Sequence, residues 1–424
     1  MRRGVGIFLI IVTSSPAFAQ ALEALVAEAL DARTELAQAN AETSAARERS
    51  AQVEALPEPM FQVGVQNDGF SRFQVGTMAT SWVSFMASQT FPFPGKLGLR
   101  GEVAQVEVRL RELQVERVRL STIAEVRRGY LSLQLTRARQ ALLEQRLALT
   151  SRLVEVARIR AESSEGTQAE VLRAQVELSR VGQRGLSLRN EAQLAVQALN
   201  RLRRQPLDTA LQTTPLAASL PELLTEAQWL DLARAHSPEY LATQAGTARA
   251  EKSAALAERS YFPDITVAAS LMVRGPLEPM WGVSVGVPLP VFAASRQARA
   301  RGEAQAQGLS ASHGREALEQ RFALAAHQRA QTMGTLTALW SSYHAGLLAQ
   351  AALAAQSTLA QYTSGRAMFS AVLEANATSL NEVEASLQVL ADAWRLAIDQ
   401  DELTAGESNA LLGAAAAAPA TSGM

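Results

Sequence analysis

The sequence has no cysteine and only four histidines in 424 residues. Disulfides, thiolate metal sites, cysteine nucleophiles and a lipid-bearing N-terminal cysteine are thereby excluded. Four histidines make a His-rich catalytic metal centre an improbable reading, and no metal or other cofactor is expected. Basic excess is also missing: 40 Lys and Arg stand against 41 Asp and Glu, a formal net charge of −1. Neutralising a phosphate backbone needs such an excess, so no nucleic-acid partner is expected. Aromatic residues make up 5% and charged residues 19% of a chain that is 48% hydrophobic. Ala, Leu, Gln, Glu and Arg dominate, which is the composition of long helices rather than of a β-sandwich. No phosphate-binding G-x-x-x-x-G-K-[ST] loop, H-E-x-x-H pair or clustered His/Asp set is present, so neither energy coupling nor enzymatic activity is expected.

Long apolar runs are lacking too, apart from one short stretch. Arg2 and Arg3 precede the apolar Val5–Val12 segment, and Pro16-Ala17-Phe18-Ala19 supplies an A-x-A cleavage pattern. The run is too short for a transmembrane helix, and residues 1–19 read as a secretory signal peptide cut before Gln20. Its removal leaves 38 basic against 41 acidic residues. The mature chain is expected outside the cytoplasm and without a lipid anchor, since position 20 is Gln. Any membrane contact must come from something other than an α-helical span.

What is present is an ordered series of features that occurs twice. A helical stretch at 22–55 is followed by Leu56-Pro57-Glu58-Pro59, and one at 223–260 by Tyr261-Phe262-Pro263-Asp264. Two alternating segments follow each break and end in paired prolines, Phe91-Pro92-Phe93-Pro94 and Val287-Pro288-Leu289-Pro290. Each copy then continues as a long proline-free segment, interrupted at Gly166 in the first and at Gly365 in the second. The expected organisation is a first repeat at 20–204, a linker or equatorial segment at 205–222, a second repeat at 223–404 and a disordered tail at 405–424.

The proline-free segments, 97–164 and 295–364, predict helices on the order of 100 Å long at about 1.5 Å per residue. Val103, Val106, Leu110 and Leu113 recur at spacings of 3, 4 and 3, a coiled-coil seam. Helical pattern resumes at 169–204 and 367–404, so each copy predicts a helical hairpin whose tip lies at its glycine. Gly166 and Gly365 are expected to take the positive φ that follows a helix C-terminus.

The alternating segments carry the functional argument. Phe61, Val63 and Val65 alternate with Gln62, Gly64 and Gln66; Val83, Phe85, Ala87 and Phe91 alternate with Ser84, Met86, Ser88 and Thr90. The second copy repeats this with Ile265, Val267, Ala269 and Leu271, and then with Trp281, Val283, Val285 and Val287. Loops are expected at 67–80 and 273–280, with Trp82 and Trp281 as interfacial aromatics near the strand starts. Alternation fits half-buried strands of a soluble sheet, and it also fits transmembrane β-strands of about 9–11 residues. Under the second reading four strands leave open edges that lipid forbids, and spanning barrels start at about eight strands. Several chains must then share one barrel; three would supply twelve strands.

In these residues the sequence resembles the TolC-type outer-membrane efflux proteins over about residues 21–404. The marks are Ser88-Gln89-Thr90-Phe91-Pro92-Phe93-Pro94-Gly95-Lys96, Tyr261-Phe262-Pro263-Asp264-Ile265 and Gly286-Val287-Pro288-Leu289-Pro290-Val291-Phe292, with tip motifs at 166–174 and 362–375. The resemblance implies a mainly α fold with a small transmembrane β part: long helical hairpins forming an α-barrel, and four strands per chain in a shared twelve-stranded β-barrel. It implies a homotrimeric duct in the outer-membrane lipid of a Gram-negative bacterium, with a long periplasmic portion, docked to a periplasmic adaptor and an inner-membrane transporter. Carried over by motif, Tyr362, Arg366 and Glu374 on the second hairpin and Glu170 on the first are candidates for a periplasmic gate. A tyrosine ring can occlude, and Arg–carboxylate pairs can hold a closed state. Gly166 and Gly365 mark the tip turns and the adaptor-docking region. The chain departs from the pattern at Ala367 and Ala371, where a basic and an acidic residue occur in the family.

Two other export roles share parts of this plan, a periplasmic coiled-coil adaptor or structural protein and the outer-membrane duct of a type I protein secretion system. An adaptor needs one hairpin flanked by compact β-domains rather than two equivalent strand pairs. The Phe-Pro-Phe-Pro-Gly-Lys segment looks like the heavy-metal branch, so the cargo is read as metal cations or drugs. His313, His327 and His344 lie 14 and 17 residues apart on one rod. That is roughly 21 and 25 Å along a helix, too far apart to chelate one ion within a chain.

Overall fold

The computed structural model describes residues 22–404. The signal peptide and the tail read from the sequence lie outside them. The elements run α1 (Leu22–Ala32), α2 (Thr34–Glu54), β1 (Met60–Gln66), β2 (Trp82–Phe91), α3 (Lys96–Glu162) and α4 (Gln168–Leu202). They continue with α5 (Glu226–His236), α6 (Pro238–Arg259), β3 (Ile265–Arg274), β4 (Leu277–Gly286), α7 (Gln297–Ser342), a π-helical segment (Tyr343–Leu347), α8 (Leu348–Thr363) and α9 (Phe369–Thr404). The order α-α-β-β-α-α therefore occurs twice, with α7, the π segment and α8 standing where α3 stands in the first set. Among the described residues no helix is long and apolar enough to cross a membrane.

Packing divides the chain into two units, each drawn from both halves of the sequence. One takes the described residues up to Arg33, then Leu120–Ala227 and the chain from His327 onward; the other takes Thr34–Arg119 and Gln228–Ala326.

In the first, helical unit, α1 buries Leu22, Leu25 and Ala29 against Val126, Tyr130 and Leu133 of α3 and Leu199 and Leu202 of α4. Spacings of 3 and 4 put each set on one helix face. In α9, Leu390, Trp394, Ala397 and Ile398 do the same against Ala124 and Leu131 of α3. Truncating a fully buried Leu133 or Ile398 to alanine should cost about 2–5 kcal/mol. Residues 205–222 form no helix or strand, and side chains of neighbouring helices bind their backbone groups. Gln134 Nε2 donates to the carbonyls of Thr214 and Pro215, both at 3.1 Å. Asn200 Nδ2 serves Leu207 O and Thr209 O, and Trp394 Nε1 serves Ser219 O.

The helical stretches are less continuous than their periodicity suggested. The first breaks at Arg33, and the second begins only at Glu226 and restarts at Pro238. Proline at the first turn of α6 lacks the N–H that a continuing helix would use, and its ring clashes with the preceding turn. The second rod, expected to be unbroken, is interrupted at Tyr343–Leu347, where Gly346 leaves helical geometry. There His344 Nδ1 donates to Trp340 O at 3.0 Å and its ring lies 3.9 Å from the indole. A side chain that competes for a helix carbonyl, beside a glycine that lowers helix propensity, accounts for the break.

The second unit holds a small aromatic core and the sheet. Trp229 meets Phe322 edge-on at 5.7 Å, and Tyr240 Oη donates to Glu319 at 2.9 Å. The sheet is antiparallel throughout, in the order β1-β2-β3-β4. Residues 273–280, expected as a loop, mostly belong to the strands: β3 runs to Arg274, β4 starts at Leu277, and only Gly275-Pro276 turns the chain. Gly275 supplies the positive φ of 64° that this tight turn requires, and Arg274 donates twice to Glu278 O across it.

Candidate functional site

Strand register decides the character of each sheet face. Val63, Phe85, Leu271 and Trp281 lie side by side across the four strands, and so do Phe61, Ala87, Ala269 and Val283. The face they form points away from the chain: Trp281 is 79% exposed and Val283 64%. On the other face Gly64 pairs with Ser84, Ser270 with Gly282, and the hydroxyls of Thr90 and Thr266 meet at 2.9 Å. Trp82 does not join Trp281 on the apolar face. It lies opposite Gln66 and shares the face of Ser84 and Met86, because its even position follows the period-2 alternation. Strands β1 and β4 each have one neighbour within the chain, so a row of backbone N–H and C=O groups is open at each edge.

The two proline motifs meet beside the strands. Lys96, at the start of α3, donates to Asp264 Oδ1 at 2.7 Å and to Phe262 O at 2.6 Å. The Phe93 amide donates to the same carboxylate oxygen at 3.0 Å, and the Phe93 and Phe262 rings stack at 4.5 Å. Partial burial opposes ionisation of Asp264, but the Lys96 bond and the Phe93 amide outweigh it and hold the carboxyl below its usual range. This clamp joins residues of both copies, and periodicity could not reveal it, since the partners lie far apart in sequence. Gly282-Val283-Ser284-Val285-Gly286 spells a G-x-S-x-G pattern, yet it lies inside β4 rather than on a strand-to-helix turn, so it forms no nucleophile elbow.

In the helical unit the gate candidates converge only in part. Tyr362, in the last turn of α8, is 1% exposed and packs with Leu153, Ala157, Val171, Ala174, Phe369 and Val372. Its hydroxyl donates to Glu170 Oε2 at 3.2 Å, linking the second hairpin to the first turn of α4. Burial, and then the Glu170 charge, push the Tyr362 phenol up to about 12, so it remains a donor at any physiological pH. The ring was expected to occlude an opening; in the described chain it instead fills the space between the two hairpins. The side chains of Arg366 and Glu374 are exposed, and among the described residues neither side chain meets a hydrogen-bond or ion-pair partner. Ala367 and Ala371 supply no charge to bring them in.

The two tips differ in where the glycine sits. Gly365 has the expected φ of 76°. In the first tip that role falls to Ser164, with φ 62°, and Gly166 is not among the residues of positive φ. The hydrogen bonds give the alignment. Arg160 O accepts from Glu165 N and Gly166 N, and Gln361 O accepts from Arg366 N and Ala367 N. Ser164 therefore matches Gly365, and Gly166 matches Ala367. Gly166 meets a different demand, because a Cβ there would sit 3.1 Å from Arg160 Cβ and 3.2 Å from Glu170 Oε2. Arg160, which the sequence reading passed over, lies at the centre of the tip. Its Nη1 donates to Tyr362 O, its Nη2 to Glu165 O at 3.1 Å, and its guanidinium carbon stands 4.7 Å from the Tyr362 ring centroid. A basic residue in the last turn of a long helix was the available signal.

Comparison with known proteins agrees with these features. The family described as outer membrane efflux protein matches residues 25–203. No match was found among curated protein sequences. Among solved structures, the outer membrane protein VceC from Vibrio cholerae superposes with a TM-score of 0.77 at 20% identity, over 91% of this chain and 96% of that one. CusC, studied for transmembrane channel formation, gives 0.76 at 18% over 92% and 93%. The outer-membrane channel OprN gives 0.74 at 18% over 91% and 90%. In the sequence of its first repeat and in its fold, the chain resembles the TolC-type outer-membrane efflux proteins.

Proposed function

We propose that this chain is one subunit of a passive outer-membrane efflux duct. The observation that carries the reading is the sheet: one face exposes Phe61, Phe85, Leu271, Trp281 and Val283, the other carries mainly small and polar residues with a few methionines and Trp82, and both edges are open. Water disfavours such an apolar face, and hydrocarbon disfavours the edges at several kcal/mol for each unsatisfied group. Insertion into the outer membrane as part of a barrel closed by other copies removes both costs. A homotrimer would close twelve strands, with a periplasmic adaptor and an inner-membrane transporter supplying cargo and energy. A signal peptide at residues 1–19 would export the chain, and the barrel alone would hold it in the membrane. The cargo is read as metal cations or drugs, in keeping with the Phe-Pro-Phe-Pro-Gly-Lys motif.

In this reading the periplasmic mouth is closed at the hairpin tips. Tyr362 and Glu170 act as a latch between the two hairpins of one chain, while the exposed Arg366 and Glu374 face partners in neighbouring subunits. The turns at Gly166 and Gly365 belong to the surface offered to the adaptor. Two experiments test the reading. Membrane fractionation should find the protein in the outer membrane as a detergent-extractable oligomer. Purified oligomer in planar bilayers should give discrete low-conductance steps that rise in Tyr362→Ala with Glu170→Gln. Recovery in the periplasmic soluble fraction would contradict the duct, and unchanged conductance would contradict the latch.

A further inference from the structure

We propose that Arg160 is the positioning residue of the tip closure, a one-sided strut that holds the second hairpin to the first through the backbone of Tyr362. This rests on the reading of Tyr362 and Glu170 as the closing contact. The guanidinium serves one backbone carbonyl of each hairpin tip at once. Through Nη2 it caps Glu165 O in the turn that follows α3, and through Nη1 it reaches Tyr362 O in the last turn of α8. Tyr362 O lies at the C-terminal end of α8, where a helix concentrates partial negative charge, and accepts from Gly365 N at 3.0 Å as well as from Arg160, while Glu165 O lies in the turn between α3 and α4. The same group lies over the Tyr362 ring, 4.7 Å from its centroid, so it binds the tyrosine by both its carbonyl and its π face.

Counting Glu170 on the hydroxyl, the first hairpin holds Tyr362 at three points, and Arg160 provides two of them. The arrangement has no reciprocal. The position equivalent to Arg160 in the second tip is Gln361, whose side-chain Nε2 donates to Ser357 within its own helix. The geometry also calls for arginine rather than lysine: two N–H groups in a fixed fork reach two carbonyls while the plane stacks on an aromatic ring. Losing the Tyr362 hydroxyl should therefore loosen the latch, and losing Arg160 should release it.

The test uses the full-length oligomer in planar bilayers, comparing Arg160→Gln, Arg160→Lys, Tyr362→Phe and Glu170→Gln, with thermal dissociation of the oligomer as a check on assembly. Because the chain has no cysteine, spin labels introduced at the exposed Glu165 and Thr363 report the separation of the two tips directly. Arg160→Gln is expected to shift the closed-to-open ratio by roughly tenfold, about one charge-assisted hydrogen bond, and to broaden the label distances. Tyr362→Phe should have a smaller effect, and Arg160→Lys should fall between wild type and Arg160→Gln. Wild-type conductance and distances in both Arg160 variants, with opening in Glu170→Gln, would overturn the strut and leave the latch standing. Wild-type behaviour in all four variants would overturn the latch, and the strut with it.

Discussion

The sheet and the tip cluster use the same residue types in opposite ways. At the tips, Tyr362, Phe369 and Val372 turn inward and are almost wholly buried. On the sheet, Trp281, Val283 and Val285 turn outward and are mostly exposed, while serines, threonines and glycines predominate on the other face. A hydrophobic side chain gains by leaving water wherever it goes, roughly 1.5–3 kcal/mol for full burial. The tip achieves this within one chain. The sheet does not, so its apolar face must meet something that is not water. The difference teaches that the two regions are built for different solvents.

The same kind of substitution should therefore fail for different reasons in the two places. The largest effect is expected from Val372→Asp, which places a carboxylate in the tip cluster without a partner. A loss of about 3–5 kcal/mol is expected, seen as a lowered melting temperature and protease sensitivity at the turns. Next comes Val283→Arg on the exposed sheet face, expected to cost about 2–4 kcal/mol in a bilayer and to reduce outer-membrane assembly. Ser284→Arg, on the opposite face, should assemble nearly as well as wild type. Equal assembly of the two arginine variants would erase the contrast between the faces.

Breaking the clamp beside the strands should have an intermediate effect. Lys96→Met leaves Asp264 without its cation and should destabilise by about 1.5–3 kcal/mol, measured by thermal dissociation of the oligomer. The Asp264 pKa is lowered in the folded chain, so the clamp's contribution is whole above the ordinary value of 3.8 and lost as pH falls through the lowered value. Stability of Lys96→Met should consequently change less than wild type over that acid range. The turns come next: Gly365→Val should cost about 1–2 kcal/mol for its positive φ, whereas Ser164→Gly should be neutral or stabilising. The smallest effect lies at high pH. The Tyr362 phenol is raised from its ordinary 10.0 to about 12, so its contribution is intact below pH 10 and lost as pH rises through 12. Ultraviolet phenolate titration should show one late-titrating tyrosine that disappears in Tyr362→Phe.

The features legible in the sequence were those with a period. Strand alternation put Phe61, Val63, Val283 and Val285 on one face, and proline-free stretches marked the long helices to within a few residues. Features set by contacts between distant segments were not legible. The clamp of Lys96 on Asp264 and the reach of Arg160 to Tyr362 join residues more than 160 positions apart. The tip register was misread because glycine was taken as the marker of positive φ, when Ser164 takes it in one turn and Gly365 in the other. Gly166 has no positive φ, and a Cβ there would crowd Arg160 and Glu170. The π-helical segment escaped because a side-chain bond from His344 competes with the helix ladder, and helical periodicity carries no trace of that bond.

The central claim is that the sheet is a fraction of a membrane barrel that other copies complete. The most direct measurement is the protein mass of the purified mature chain by light scattering, corrected for detergent and repeated after detergent removal. A defined oligomer in detergent that aggregates without it, three chains being the proposed number, is the result predicted. A monodisperse single chain that remains soluble in plain buffer would contradict it.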